Sequence, residues 1–146
     1  MKTLQFLALV LTALALVPGG AHLLALPNKI HMPEGSYFIA QSVYRGWAFL
    51  GIVLIGAILA NATLTFVMRG HRGFVFALVA LLGLVATLAI FFAFTYPANQ
   101  ATNNWTEIPQ NWEELRRQWE ISHAVNACIT FLGFCSLVIS VLLDEK

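Results

Sequence analysis

Residues 73–106 read GFVFALVALLGLVATLAIFFAFTYPANQATNNWT, 34 positions without one Asp, Glu, Lys or Arg. A helix rises about 1.5 Å per residue, so roughly 20 apolar residues cross a hydrocarbon core of about 30 Å. The stretch therefore predicts a transmembrane helix that ends at Pro97. Similar uncharged runs extend from Thr3 to Asn28, from Gly46 to Met68 and from Ile121 to Leu143. The expectation is an all-α fold: a transmembrane four-helix bundle, antiparallel, with a long fourth helix. One integral membrane domain fills residues 1–146, with spans at roughly 3–26, 45–68, 74–96 and 119–143.

Composition points the same way. The chain is 59% hydrophobic and 10% charged, against about 45–50% and about 25% for soluble domains. A formal net charge of +1 gives no basic field for nucleic acid. Cys128 and Cys135 lie seven residues apart in the fourth run, about 10.5 Å along a helix, too far for a mutual disulfide. The start, Met1-Lys2 with an apolar run and Gly19-Gly20-Ala21, has the look of a secretory signal. The run continues through His22-Leu23-Leu24-Ala25-Leu26, longer than a usual signal core, and predicts a retained first span.

Along the chain, Pro18-Gly19-Gly20 predicts a kink or break in span one. A loop is expected from Pro27 to Tyr44, and Arg69-Gly70-His71-Arg72-Gly73 is a tight basic turn that makes spans two and three antiparallel neighbours. Asn111 reads as an N-cap with Glu114 completing a capping box. The helix that follows would be about 48 Å long, so its first turns project into the headgroup region. Lys2, Arg69, Arg72 and Lys146 fall on one side of the membrane and Lys29, Arg45, Arg116 and Arg117 on the other. Lysine and arginine counts thus tie, and the cleaner signal of the short turn orients both termini toward the cytoplasm, in a plasma or bacterial inner membrane.

The polar residues of the fourth helix are ordered. At 100° per residue, Trp112, Arg116, Trp119, His123, Asn126 and Thr130 fall within about 40° of one line, and Glu120 flanks it about 80° away. Lipid penalises such a face, so it should turn inward or toward a wet cavity. Interfacial anchoring alone accounts for many Trp and Arg residues. Arg116 with Glu120, and Glu113 with Arg117, read as i,i+4 pairs worth a few tenths of a kcal/mol. In span two, Trp47, Gly51, Leu54, Ile58, Asn61 and Thr65 align similarly, with Asn61 expected to serve mainly as interhelical glue. His22 closes span one. Loop topology gathers His22, Asn28, His31, Arg45, Trp47, Trp105, Trp112, Arg116, Trp119 and His123 near one membrane face, outlining a pocket for a small hydrophobic molecule.

Single histidines rather than His-x-x-x-His spacing give no metal signature. His22 and His123 are the one pair able to hold a haem between helices, but both sit near one end, and no cofactor is expected. Transport fits poorly with spans that show no inverted repeat and no buried charge.

The run Trp112-x-x-Leu115-Arg116-x-x-Trp119-Glu120-x-x-His123, following a polar loop between Pro97 and Pro109, resembles small membrane proteins of the anthrone-oxygenase-like family. His22…Pro27-Asn28 and Asn61 fit the same pattern. The resemblance implies a four-helix membrane bundle that, in its fungal branch, oxidises an anthrone to an anthraquinone with molecular oxygen and no recognised cofactor. Most bacterial relatives have no assigned activity. Members often carry an Arg three residues after the position matching His123, where this chain has Asn126. The chemistry expected is proton abstraction by His123, enolate stabilisation by Arg116, and ring binding by Trp112 and Trp119, with Asn126, Asn61, His22 and Trp47 as further walls. The rival expectation is a non-enzymatic bundle that binds lipid, quinone or a partner membrane protein. The partners are a small hydrophobic molecule and the lipid bilayer, with a second copy of the chain left open.

Overall fold

The structure, a computed structural model, describes residues 1–144; Glu145 and Lys146, the latter counted above for topology, lie outside it. The helices are α1 (Lys2–Lys29), α2 (Glu34–Gln41), α3 (Gly51–Val67), α4 (Phe74–Ile90), α5 (Tyr96–Ala101) and α6 (Trp112–Leu143). Four segments are long and apolar enough to cross a membrane: Lys2–Lys29, Trp47–Val67, Phe74–Ala101 and Trp112–Leu143. α1 packs on α3 and α6, and α4 packs on the same two, so the four long helices close into a ring. The antiparallel four-helix bundle expected from the sequence is present.

Lipid tails are as apolar as leucine, so helices in a bilayer associate through close packing and hydrogen bonds rather than through expulsion of water. The interior shows this. Ala8, Ala57, Ala77 and Ala80 are fully buried, while Phe6, Leu24, Ile52, Phe66 and Leu132 face outward. A Cβ on Gly19 would stand 3.4 Å from Ala127, and one on Gly133 would stand 3.6 Å from the Ala80 carbonyl. Small residues thus let α6 approach both α1 and α4. Buried hydroxyls add cross-ties: Ser136 donates to the Phe76 carbonyl (2.8 Å) and Ser140 to the Gly73 carbonyl (2.9 Å).

One end is fastened by Asp144. Its carboxylate accepts from Gln5 Nε2 (2.8 Å) and meets His71 Nδ1 (2.7 Å). The start of α1, the α3–α4 turn and the end of α6 therefore share a face, as the sequence placed them. Gly70 supplies the left-handed φ of 85° that this turn needs.

Four local expectations are corrected. Of the kink or break expected at Pro18-Gly19-Gly20, the break does not occur: α1 runs on through both Pro18 and Pro27 to Lys29. A transmembrane helix keeps its backbone bonded even around a proline, because lipid offers no alternative partner. The third span does not stop at Pro97. It passes through a five-residue π-turn, Phe91–Thr95, into α5. A regular helix would set the proline ring against the Ala93 carbonyl, and the wider turn relieves that clash. The loop after α1 contains α2, an amphipathic helix with Tyr37 and Gln41 buried one turn apart. At the start of α6, Asn111 occupies the cap position but its side chain makes no cap bond, so Glu113 and Glu114 favour the helix end by charge alone.

A Cβ on Gly73 would overlap the Ser140 carbonyl and the Met68 methyl group, whereas one on Gly83 would meet only ordinary contacts at 3.6 Å. Gly73→Ala is expected to cost about 1–3 kcal/mol, read as a lowered midpoint in detergent-titrated unfolding, with Gly83→Ala close to wild type. Equal midpoints for the two variants would contradict the close α4–α6 approach.

Candidate functional site

The opposite end of the bundle carries most of the chain's chemistry. Lys29, the last residue of α1, sits 2.7 Å from Glu120 Oε1 of α6, with side-chain exposures of 5% and 0%. The expectation of spans without a buried charge is therefore wrong. So is the pairing of Glu120 with Arg116, because Glu120 turns to α1 instead. Gln41 and Tyr37 complete the network. Lys29 Nζ donates to Gln41 Oε1 (3.2 Å), Gln41 Nε2 donates to the Tyr37 hydroxyl (2.7 Å), and Tyr37 donates to Glu120 Oε1 (3.0 Å). Burial, reinforced by the Glu120 charge, raises the Tyr37 pKa above the ordinary phenol range, so this hydroxyl stays protonated and keeps donating.

The ammonium is also sheathed in aromatic faces. Lys29 Nζ lies 4.5 Å from the Tyr44 ring centre, 4.8 Å from Trp119 and 5.3 Å from Tyr37. Each contact stabilises the cation through the ring quadrupole, most strongly where water is excluded.

Below the ion pair lies a ring cluster. His22 of α1 stacks on His123 of α6 with centroids 4.1 Å apart. Trp119 packs edge-on against both, at 4.8 Å and 4.2 Å. Tyr44 and Trp47 cover His22 at 4.3 Å and 5.6 Å. Both belong to short 3-10 turns, Ser42–Tyr44 and Trp47–Leu50, separated by Gly46 at φ 87°. The indole N–H groups of Trp119 and Trp105 share Asn99 Oδ1 as acceptor (2.8 and 3.1 Å). Asn103, Asn104 and Trp105 are all left-handed, and this reversal brings Trp105 back over Trp119 and Tyr37.

The sequence-derived set thus divides. His22, Trp47, Trp119 and His123 converge. Arg116 and Trp112 stand beside them, with the Arg116 guanidinium 4.6 Å from the Trp112 ring and donating to the Met32 carbonyl (2.7 Å). Asn126 faces α4, donating to the Thr87 carbonyl (3.1 Å). Asn61 lies elsewhere. It donates to Thr12 Oγ1 (3.0 Å) and the Ala57 carbonyl (2.8 Å), about 15 Å along α1 from His22. Asn61 ties α1 to α3 and does not line this cluster.

Lys29, Glu120, Tyr37 and Gln41 were missed as site residues. Two signals pointed to them: the i,i+4 spacing of Tyr37 and Gln41 behind Pro33-Glu34, and Glu120 one turn above His123.

Three polar atoms at this end are buried with no protein partner, His22 Nδ1, Glu120 Oε2 and Arg116 Nε. Among the described residues, no three His, Cys, Asp or Glu side chains gather closely enough to hold a metal ion. Stacked imidazoles at 4.1 Å leave no space for a haem between them. Two surface recesses flank the start of α6. One of about 380 Å³ touches Leu26, Ile30, His31 and Arg116, one of about 750 Å³ lies between α4 and α6, and Glu113, Arg117 and Ile121 border both. Neither is lined by His22 or His123. Comparison with protein-family models, curated proteins and solved structures finds no match for the chain.

Removing one member of a buried ion pair leaves the other charged and unpaired, a loss of about 3–5 kcal/mol, whereas replacing both by apolar groups is often neutral. Lys29→Met and Glu120→Gln are each expected to lower the unfolding midpoint sharply, with Lys29→Met/Glu120→Leu recovering most of the loss. Additive losses in the double variant would refute the pairing.

Proposed function

We propose that this end of the bundle binds a small hydrophobic aromatic or quinone-like molecule and acts on it as a cofactor-independent oxygenase of the anthrone-oxidising type. The supporting observation is the meeting of two imidazoles, three aromatic rings and a desolvated cation where His22 Nδ1 and Glu120 Oε2 are buried without partners. Buried polar atoms left unpaired in a packed site are what a ligand's own polar groups would satisfy. Tyr44 and Trp47, carried by 3-10 turns around Gly46 at the head of the second span, are the wall that yields to admit a planar ligand.

In this reading His123, as neutral imidazole, takes a proton from the acidic C–H of a bound anthrone. The delocalised carbanion gives its electrons to molecular oxygen. The resulting hydroperoxide loses water, so a CH₂ group and O₂ become a carbonyl and H₂O. Arg116 was the cation expected at the enolate oxygen. Its bond to Met32 and its position two turns above His123 make Lys29, against the Trp119 face, the better-placed charge. The membrane is taken as plasma or bacterial inner membrane, with both termini cytoplasmic.

The rings' direct contact, and recesses that avoid His123, favour a second reading: a non-enzymatic bundle that holds a lipid, a quinone or a partner membrane protein.

Oxygen uptake by purified protein with an anthrone separates the two. His123→Ala and the shape-preserving His123→Gln are expected to lose at least about 100-fold in rate, the usual worth of a general base. Wild-type rates in both variants would end the oxygenase reading. Tryptophan quenching by an anthraquinone with no turnover would select the binding one.

A further inference from the structure

The recess of about 750 Å³ between α4 and α6 lies outside the ring cluster and has an ordered chemistry of its own. Its apolar lining is formed by Ile90, Phe94, Ile121 and Val125. Phe94, Ile121 and Val125 are 51%, 50% and 42% exposed, so this wall is presented outward rather than buried in the bundle. One turn higher stands Arg117, and at the rim stand Glu113 and Glu114. None of these three side chains has an ion-pair or hydrogen-bond partner among the described residues. Gln118, at the same level, is already committed to the Phe94 carbonyl (2.7 Å) within the π-turn.

Read from the membrane outward, the recess presents apolar surface, then a cation, then two carboxylates. The rise from Arg117 to Glu113 is about 6 Å. A phospholipid carries acyl chain, phosphate and headgroup nitrogen in that same order. Arg117 suits the phosphate through charge-assisted hydrogen bonds. Two carboxylates at the rim call for a cation, and one able to donate N–H bonds, which a primary ammonium does and a trimethylammonium does not. An anionic headgroup would face Glu113 and Glu114 with like charge.

We propose that this recess is a binding site for a zwitterionic phospholipid bearing a primary amine, one acyl chain lying along Phe94, Ile121 and Val125. The site is separate from the ring cluster and stands whether or not that cluster is catalytic.

The test is native mass spectrometry of the full chain, delipidated and titrated with phosphatidylethanolamine, phosphatidylcholine or phosphatidylglycerol of identical acyl chains. Phosphatidylethanolamine is expected to leave a retained adduct at least several-fold more abundant than the other two. Glu113→Gln/Glu114→Gln should erase that preference while phosphatidylcholine binding persists, and Arg117→Gln should reduce all three. Both variants change exposed side chains, and circular dichroism confirms their fold. Equal adducts for the three headgroups, or a preference that survives the Glu113→Gln/Glu114→Gln change, would overturn the proposal and mark the recess as ordinary lipid-facing surface.

Discussion

A carboxylate and an ammonium 2.7 Å apart, both removed from solvent, set the terms for one whole end of this bundle. Taking two charges out of water costs several kcal/mol per ion, and mutual attraction offsets that only if the remaining donors and acceptors are also met. Gln41, Tyr37 and three aromatic faces meet most of them. The network joins α1, α2 and α6, and so draws a segment that reads as loop down onto the bundle. It also sets the sliding register of α1 on α6. Lys29 lies about two turns beyond His22, while Glu120 lies about one turn from His123. The length of the lysine chain takes up the difference, which lets the two imidazoles stack.

The two ends of the molecule are held by different physics. At the Asp144 end, alanines, Gly73 and Gly133 bring backbones close, and the buried hydroxyls bond carbonyls across helices. Gln5 Oε1, Asn61 Oδ1 and Thr65 Oγ1 are buried there without a protein partner. Asn61 belongs to this regime, bridging α1 and α3 as a single interhelical tie. At the other end large rings replace small residues, and one ion pair, Lys29 with Glu120, is sequestered from solvent.

The spans were legible because their signal is thermodynamic and local: a helix in hydrocarbon must be long, apolar and internally bonded. The same rule explains two misreadings. Pro18-Gly19-Gly20 and Pro97 would end helices in water, but in a bilayer α1 continues and α4 passes through a π-turn. The convergence of His22, Trp47, Trp119 and His123 was readable from loop order and helical phase. Lys29 with Glu120 was not, because each looks like an ordinary interfacial charge until the fold sets one against the other. α2 escaped for a related reason. Eight residues carry too little periodicity to stand out, and Tyr37 and Gln41 matter only once α6 lies beside them.

Asn126 shows how the charge of such a site is distributed. Asn126 lies three residues after His123 on α6. In this structure that position faces Thr87 on α4, away from the stacked imidazoles, and an amide there bonds a backbone carbonyl. An Arg at position 126 would need its own partner on the α4 side. The charge facing the rings enters instead from α1, as Lys29, with Glu120 present to hold it. A cation from a different helix reaches the Trp119 face while costing α4 no rearrangement. The cation at the rings is thus delivered by α1 and held by α6, so its position depends on how those two helices pack.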